Sequence, residues 1–211
     1  MSVDKRHWIA QRVAKELKNG DVVNLGIGLP SLVGNYVASN VELIIQSENG
    51  LLGLDGMANE DQADPDLVNA GGQAITAVEG ACYFDSAMSF TIIRGGHVDV
   101  SILGALEVDQ DANLANWLVP GKLAPGMGGA MDLVVGARTV IIAMEHTNKG
   151  KPKLLKRCSL PLTATGQVNL VVTEFGVFKP NTRGFEVLEL APNVSLEMAQ
   201  AASQATLYVS A

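Results

Sequence analysis

Val41-Glu42-Leu43-Ile44-Ile45, followed by Gln46-Ser47-Glu48-Asn49-Gly50-Leu51-Leu52-Gly53, decides how the rest of the chain is read. The first five residues form a short, mostly apolar run, the pattern of a strand buried on both faces. Polarity flips at Gln46, and the chain turns apolar again at Leu51. Asn49-Gly50 suits a tight turn because both residues tolerate positive φ. Glu48 is therefore expected on a sharp bend at the carboxyl end of a buried strand, where open α/β sheets place their ligands. A loop carboxylate that caps the following turn fits the same local pattern, and this stretch alone leaves both readings open.

Upstream, Asp4 to Asn19 reads as a helix, with Trp8, Ile9, Arg12, Val13, Glu16 and Leu17 near helical period, Asp4 as N-cap and Gly20 as the stop. Val22-Val23-Asn24-Leu25-Gly26-Ile27-Gly28-Leu29-Pro30 then reads as strand, glycine turn and helix start. This is not the dinucleotide fingerprint, because Leu32 and Val33 lie where its third glycine would fall. Asn24 is the polar group at this strand's end, expected to face the same crevice as Glu48. A strand–helix turn that needs glycine for close packing is the other reading of this stretch.

Downstream, Leu54 to Asp66 is acidic and turn-rich and reads as a surface loop, with a glycine turn at Leu67–Gln73. A strand is expected near Val78–Phe84, then a helix through Arg94 that ends at Gly95-Gly96-His97. His97 has no Ser or Cys partner in a recognisable context and reads as a structural, hydrogen-bonded histidine. Val98–Glu107 reads as one buried strand, Asp109–Asn113 as its turn and Leu114–Val119 as the paired strand. Pro125-Gly126-Met127-Gly128-Gly129-Ala130-Met131-Asp132-Leu133 brings approachable backbone N–H groups to a helix start near Met131, as oxyanion sites do, although a packing turn has equal standing. Thr139–Met144 is another apolar strand, and Glu145 and His146 at its end are site candidates on position alone, ranked below Glu48. Asn148–Lys153 is a basic turn expected to face solvent. Val168–Glu174 and Phe185–Leu190 read as strands, and Ser195 caps a last helix.

Strands alternating with helices, with glycine or polar motifs at strand ends, predict an open, mostly parallel α/β sheet flanked by helices, formed by residues 1–211 as a single domain. The composition suits a well-buried enzyme with subunit contacts, at 47% hydrophobic, 18% charged and 22 glycines in 211 residues. A net charge of −7 with no basic run argues against nucleic acid. No apolar run approaches the ~18 residues a membrane helix needs, and a polar, charged start argues against a secretory signal, so a cytoplasmic protein, or a matrix-type one without its presequence, is expected. Cys82 and Cys158 are expected as buried small hydrophobes, and no Cys or His spacing indicates a metal.

Gln46-Ser47-Glu48-Asn49-Gly50-Leu51-Leu52-Gly53 resembles the signature around the catalytic glutamate of the family I 3-oxoacid and short-chain acyl coenzyme A transferases. Asn24–Pro30, Gly128–Leu133, Phe90–His97, Leu114–Trp117 and Cys158–Thr163 resemble that family's other recurrent runs, in order and across nearly the whole chain. The resemblance implies a β-type subunit, acting with a separate α subunit in an α2β2 heterotetramer, since the Gly-Gly-Phe run of the α half is absent. It implies acyl coenzyme A and short-chain carboxylates such as acetate, butyrate or acetoacetate as substrates, with coenzyme A a substrate and no cofactor. It also implies Glu48 as nucleophile, Asn24 and the Gly129 amide as oxyanion donors, and Gly26, Gly28 and Gly128 as backbone beside the coenzyme. A hydrolase on the same fold and a non-catalytic effector or sugar-phosphate module are the competing readings.

Overall fold

Apolar runs separated by glycine turns become the strands of one large sheet in the computed structural model, which describes residues 4–121 and 126–210. In chain order the elements are α1 (Lys5–Ala14), β1 (Val22–Leu25), a 3₁₀ helix (Pro30–Tyr36), β2 (Ile44–Ser47), β3 (Leu51–Met57), β4 (Ile75–Tyr83) and α2 (Ser86–Arg94). They continue with β5 (Val100–Leu103), β6 (Glu107–Asp109), β7 (Leu114–Ala115), α3 (Ala130–Gly136), β8 (Thr139–Ala143), β9 (Thr147–Asn148), β10 (Lys151–Pro152) and β11 (Leu154–Leu155). The last are β12 (Leu170–Thr173), β13 (Gly176–Asn181), β14 (Gly184–Leu190), α4 (Leu196–Ala201) and β15 (Leu207–Tyr208).

Ten strands pair in the order β15-β14-β13-β12-β8-β5-β1-β2-β3-β4. The central five, β12, β8, β5, β1 and β2, run parallel, and antiparallel strands flank them on both sides. This is the open, mostly parallel α/β sheet that the sequence predicts. Alternation along the strands sends Val23, Val100, Ile102 and Ile141 to one face, where Ile9 and Val13 of α1 and Val33 of the 3₁₀ helix cover them. Leu103, Val140 and Ile142 meet Ile93 of α2, Leu133 and Val134 of α3 and Leu154 of β11 on the other. β1 therefore leaves towards β2 on one face, and β5 leaves towards β8 on the other. That divergence opens a crevice at the carboxyl ends of β1 and β5, the usual ligand position of such sheets.

Local departures from the expected elements have physical causes. α1 ends at Ala14, not Asn19, because Glu16 and Leu17 donate to the carbonyls of Val13 and Ala14, closing the end with tighter i→i−3 bonds. β2 is not the expected Val41–Ile45, since it continues through Gln46 and Ser47, which are buried while Ile44 is exposed. Leu54 to Met57, read as loop, extends β3 against β4. Val98–Glu107 breaks at Gly104, and the hairpin around Asp109–Asn113 forms β6 and β7 of a separate small sheet with β11. Cys82 is exposed on β4, the edge strand, and only Cys158 is partly buried.

Candidate active site

The Glu48-Asn49-Gly50 turn joins β2 to β3 in a tight antiparallel hairpin, with Ser47 opposite Leu51. Gly50 has φ +127, and a Cβ there would lie 1.9 Å from the Phe84 carbonyl, so glycine alone fits. The turn is tied down from above: Asn49 Nδ2 donates to the Val68 carbonyl (2.7 Å), and the Ala70 amide donates to Ser47 Oγ (3.3 Å). The 67–73 loop thus roofs the half-buried Glu48.

Below the turn runs a buried polar ladder. Asn24, 1% exposed, pairs in register with Gln46 across β1 and β2. Its Nδ2 donates to Gln46 Oε1 (2.7 Å), to the Gln46 carbonyl (3.2 Å) and to Glu48 Oε2 (3.2 Å). Gln46 Nε2 in turn donates to Ser89 Oγ of α2 (3.0 Å), which fixes the side-chain amide of Gln46 and, through it, that of Asn24. Asn24 Oδ1 is buried without a partner among the described residues, an unmet acceptor of the kind tolerated at functional sites.

On its other side Glu48 meets the N-cap of α3. A Cβ on Gly129 would sit 3.4 Å from Glu48 Cγ and 3.3 Å from Phe90 Cζ, so the bare glycine lets backbone close onto the carboxylate. The Gly129 amide has no backbone acceptor among the described residues. Gly128, at φ +56, makes the turn into this N-cap. Pro125, quoted with this stretch, lies outside the described residues.

Glu48 lies at the junction of two cavities. One, of about 280 Å³, is walled by Leu32, Leu54, Met57, Asn69 and Ile75. The other, of about 540 Å³, is walled by Gly104, Ala105, Asn116 and the Gly126–Ala130 turn. Gly26 and Ile27 line both with Glu48. The Gly26 amide is committed to the Ile102 carbonyl (2.8 Å), so Gly26 supplies close strand approach and not an anion donor. Gly28 lines neither of these cavities, and its φ of +90 shapes the turn.

His146 and Glu145 stand apart from this arrangement. His146 is fully buried and stacked on Phe175 at 4.5 Å. Ser203 gives its proton to the Ala199 carbonyl, so it accepts from His146 Nε2, and Nδ1 accepts from the Thr173 hydroxyl. Burial, aided by nearby Lys153, pushes the ring down to about 4. It is a neutral structural histidine. Glu145 is exposed at the surface beside Lys5 (3.9 Å). His97 is also exposed, and its ring makes no hydrogen bond among the described residues, unlike the bonded histidine expected. Among those residues no group of three or more His, Cys, Asp or Glu is placed to hold a metal ion.

The coenzyme A transferase family profile matches residues 7–199, which spans both halves of this site. The chain belongs to that family. It is 53% identical over 210 residues to the β subunit of acetate CoA-transferase from Escherichia coli K12, covering 99% of this chain and 96% of that protein. It is 52% identical to one of the subunits of succinyl-CoA:3-ketoacid coenzyme A transferase from Helicobacter pylori J99, over 97% of this chain and 99% of that one. In three dimensions it resembles an acyl-CoA transferase apoenzyme from Escherichia coli O157:H7, with TM-score 0.79 and 22% identity, covering all of this chain but 42% of that one. Glutaconate coenzyme A-transferase of Acidaminococcus fermentans shares the fold at TM-score 0.69 and 20% identity, over 99% of this chain and 87% of that one.

In this transferase chain the structure brings Glu48, Asn24, Gly129, Gly128 and Gly26 together and leaves Gly28, Glu145 and His146 outside. Gln46, Ser89 and the Asn69–Ala70 roof belong to the same site and were not singled out from sequence. Gln46 carried the one available signal: a polar residue continuing an apolar strand must be buried with a partner. No helix among the described residues is long and apolar enough to cross a membrane.

Proposed function

We propose that this chain is the glutamate-bearing β subunit of a transferase that moves coenzyme A between short-chain carboxylic acids, with Glu48 as the covalent nucleophile. The observation that carries the reading is the placement of the Glu48 carboxylate between two cavities, one oxygen on the Asn24 amide and its Cγ beneath the Gly129 backbone.

A free carboxylate is a poor electrophile, so covalent catalysis divides the exchange into accessible steps. A Glu48 oxygen attacks the thioester carbonyl of the donor acyl-CoA, and the C–S bond breaks, giving an acyl-glutamyl anhydride and coenzyme A thiolate. The thiolate attacks the Glu48 carbonyl carbon and expels the donor carboxylate, leaving Glu48 as a coenzyme A thioester. The acceptor carboxylate runs both steps in reverse. Each attack builds negative charge on a carbonyl oxygen, and Asn24 Nδ2–H and the Gly129 N–H are the fixed donors that stabilise it. Shielding from water protects the thioester from hydrolysis, and the 67–73 loop covers the Glu48 turn on one side.

Acetate, butyrate, acetoacetate or a related 3-oxoacid is the substrate class, supported by the names of the curated relatives. Those names also support a separate α subunit, and we place the two in an α2β2 heterotetramer. Coenzyme A is a substrate here and no cofactor takes part. The two unpaired cysteines agree with a reducing cytoplasm.

Purified complex given acyl-CoA with and without an acceptor acid tests the reading. Wild type should make new thioester only when the acid is present, and Glu48→Gln should make none while remaining folded. Thioester loss independent of the acid would identify a hydrolase instead, and turnover by Glu48→Gln would move the nucleophile elsewhere.

A further inference from the structure

Among the described residues, no lysine or arginine lines the two cavities at Glu48, yet the substrate carries several phosphate charges. The cations lie further along the same sheet edge. A third cavity, of about 360 Å³, opens at the carboxyl ends of β5 and β8 and is lined by Arg6, Lys149 and Lys153, with Glu145 as its one carboxylate among the described residues. It meets the larger cavity at Ile27, Gly104 and Ala105. None of the three cations forms an ion pair within 4.0 Å among the described residues, although Lys5 pairs with both Glu145 and Glu174. In a chain of net charge −7 this local excess of positive charge needs a reason.

We propose that the cavity lined by Arg6, Lys149 and Lys153 is the anion subsite that holds the phosphate groups of the coenzyme A substrate. This rests on the reading of the chain as a coenzyme A transferase. The reach of the coenzyme matches the spacing of the two sites. Glu48 follows β2, and the cationic cavity follows β8, three strand spacings away through β1 and β5. At ~4.8 Å per spacing the separation is roughly 14 Å. The pantetheine arm places thirteen covalent bonds between sulfur and the first phosphorus, or roughly 16 Å at ~1.2 Å per bond along an extended chain. A carboxylic acid of two to four carbons bound at Glu48 falls well short, so the anion belongs to the coenzyme.

The chemistry of the cavity suits a phosphate. Lys153 is half-buried, and burial pushes its amine down to about 8 against the opposing pull of Glu145 and Glu174. A phosphate in the cavity would supply the charge that burial withholds. The β9–β10 hairpin positions the pair: Lys149 takes φ +50 at its tip, and the Lys153 amide donates to the His146 carbonyl (3.2 Å). His146 is fixed by Thr173 and Ser203, so a buried, neutral histidine anchors the strand end that carries the phosphate-facing lysine.

The test compares kcat/KM for acyl-CoA, acyl-3′-dephospho-CoA and acyl-pantetheine in the assembled complex, wild type against Lys149→Ala/Lys153→Met. The ratio of kcat/KM for acyl-CoA to that for acyl-pantetheine should fall at least ~30-fold, as expected for losing two hydrogen bonds to charged groups. A fall of the same size with the dephospho substrate assigns the pyrophosphate, and a fall confined to acyl-CoA assigns the 3′-phosphate. Lys153→Arg should restore most of the ratio. Lys149→Ala alone, at an exposed hairpin tip, should lower it several-fold, which guards against misfolding of the double variant. An unchanged ratio, or equal losses with acyl-CoA and acyl-pantetheine, overturns the proposal. The ratio is read whichever residue carries the acyl group, so its failure is distinct from failure of the Glu48 assignment.

Discussion

Replacing Asn24 by Asp changes one NH₂ to an oxygen with almost no change in shape, in the place where the site depends on a donor. Asn24 Nδ2 stands 3.2 Å from Glu48 Oε2. Two carboxylate oxygens at that distance repel by roughly 5 kcal/mol at an effective dielectric of 20, so the pair holds one proton between them at neutral pH. Glu48 then loses its free anionic form, and the fixed NH₂ donor to the oxyanion is gone. The fold has a way to adapt: Gln46 can turn its amide, so that Nε2 donates to the introduced carboxylate and Oε1 accepts from Ser89. The expected result is a fall in kcat of about 10³-fold or more with a melting temperature near wild type. Asn24→Ala should show the opposite balance. It removes one donor, for about 10² in kcat, but strands Gln46 Oε1 in a buried site at ~1–3 kcal/mol of stability. Turnover under saturating acyl-CoA and acid, paired with thermal unfolding, measures both. A folded Asn24→Asp complex that keeps more than a tenth of wild-type kcat would refute the donor role.

Two further outcomes follow from the geometry. Gly129 has φ −81, so Gly129→Ala fits the backbone, but its methyl would press on Glu48 Cγ and Phe90; kcat should fall about tenfold with little loss of stability, and unchanged kcat would separate Gly129 from the nucleophile. The His146 ring titrates at about 4 in the folded state against 6.5 unfolded, so the unfolded chain takes up the proton first. Stability present above pH 6.5 is therefore lost as pH falls towards 4, by up to roughly 3 kcal/mol; a His146→Gln variant should show a shallower decline in urea midpoint over this range, and an equal decline would contradict it.

Much of the sheet was legible because its central strands are buried on both faces: Val22-Val23, Thr139–Ala143 and Leu170–Thr173 read as apolar runs, and Asp4 and Ser195 cap their helices as their residue types predict. The outer strands were less legible. β13 carries Lys179 and Pro180 and was not read as a strand, yet at Pro180 it pairs only with β14, where a missing N–H is harmless. β3 and β4 are half exposed, so Leu54-Asp55-Gly56-Met57 reads as an acidic loop and Cys82 as buried. In the site, Glu48 and its glycine turn were visible in one dimension. The Gln46–Ser89 support was not, because β2 and α2 meet only through the sheet. Lys153 was hidden too, since nothing in Lys151-Pro152-Lys153 tells that the hairpin turns one lysine into a cavity.

The central claim is a covalent bond at Glu48, and peptide mass mapping after borohydride reduction measures it most directly. Complex incubated with acyl-CoA and no acceptor acid should accumulate the Glu48–coenzyme A thioester, which borohydride reduces to an alcohol. Activity should be lost only when acyl-CoA precedes borohydride, with the mass change confined to Glu48 within Ile44–Gly53. A fully active complex after that treatment, or a modified carboxylate anywhere else in the chain, would contradict it.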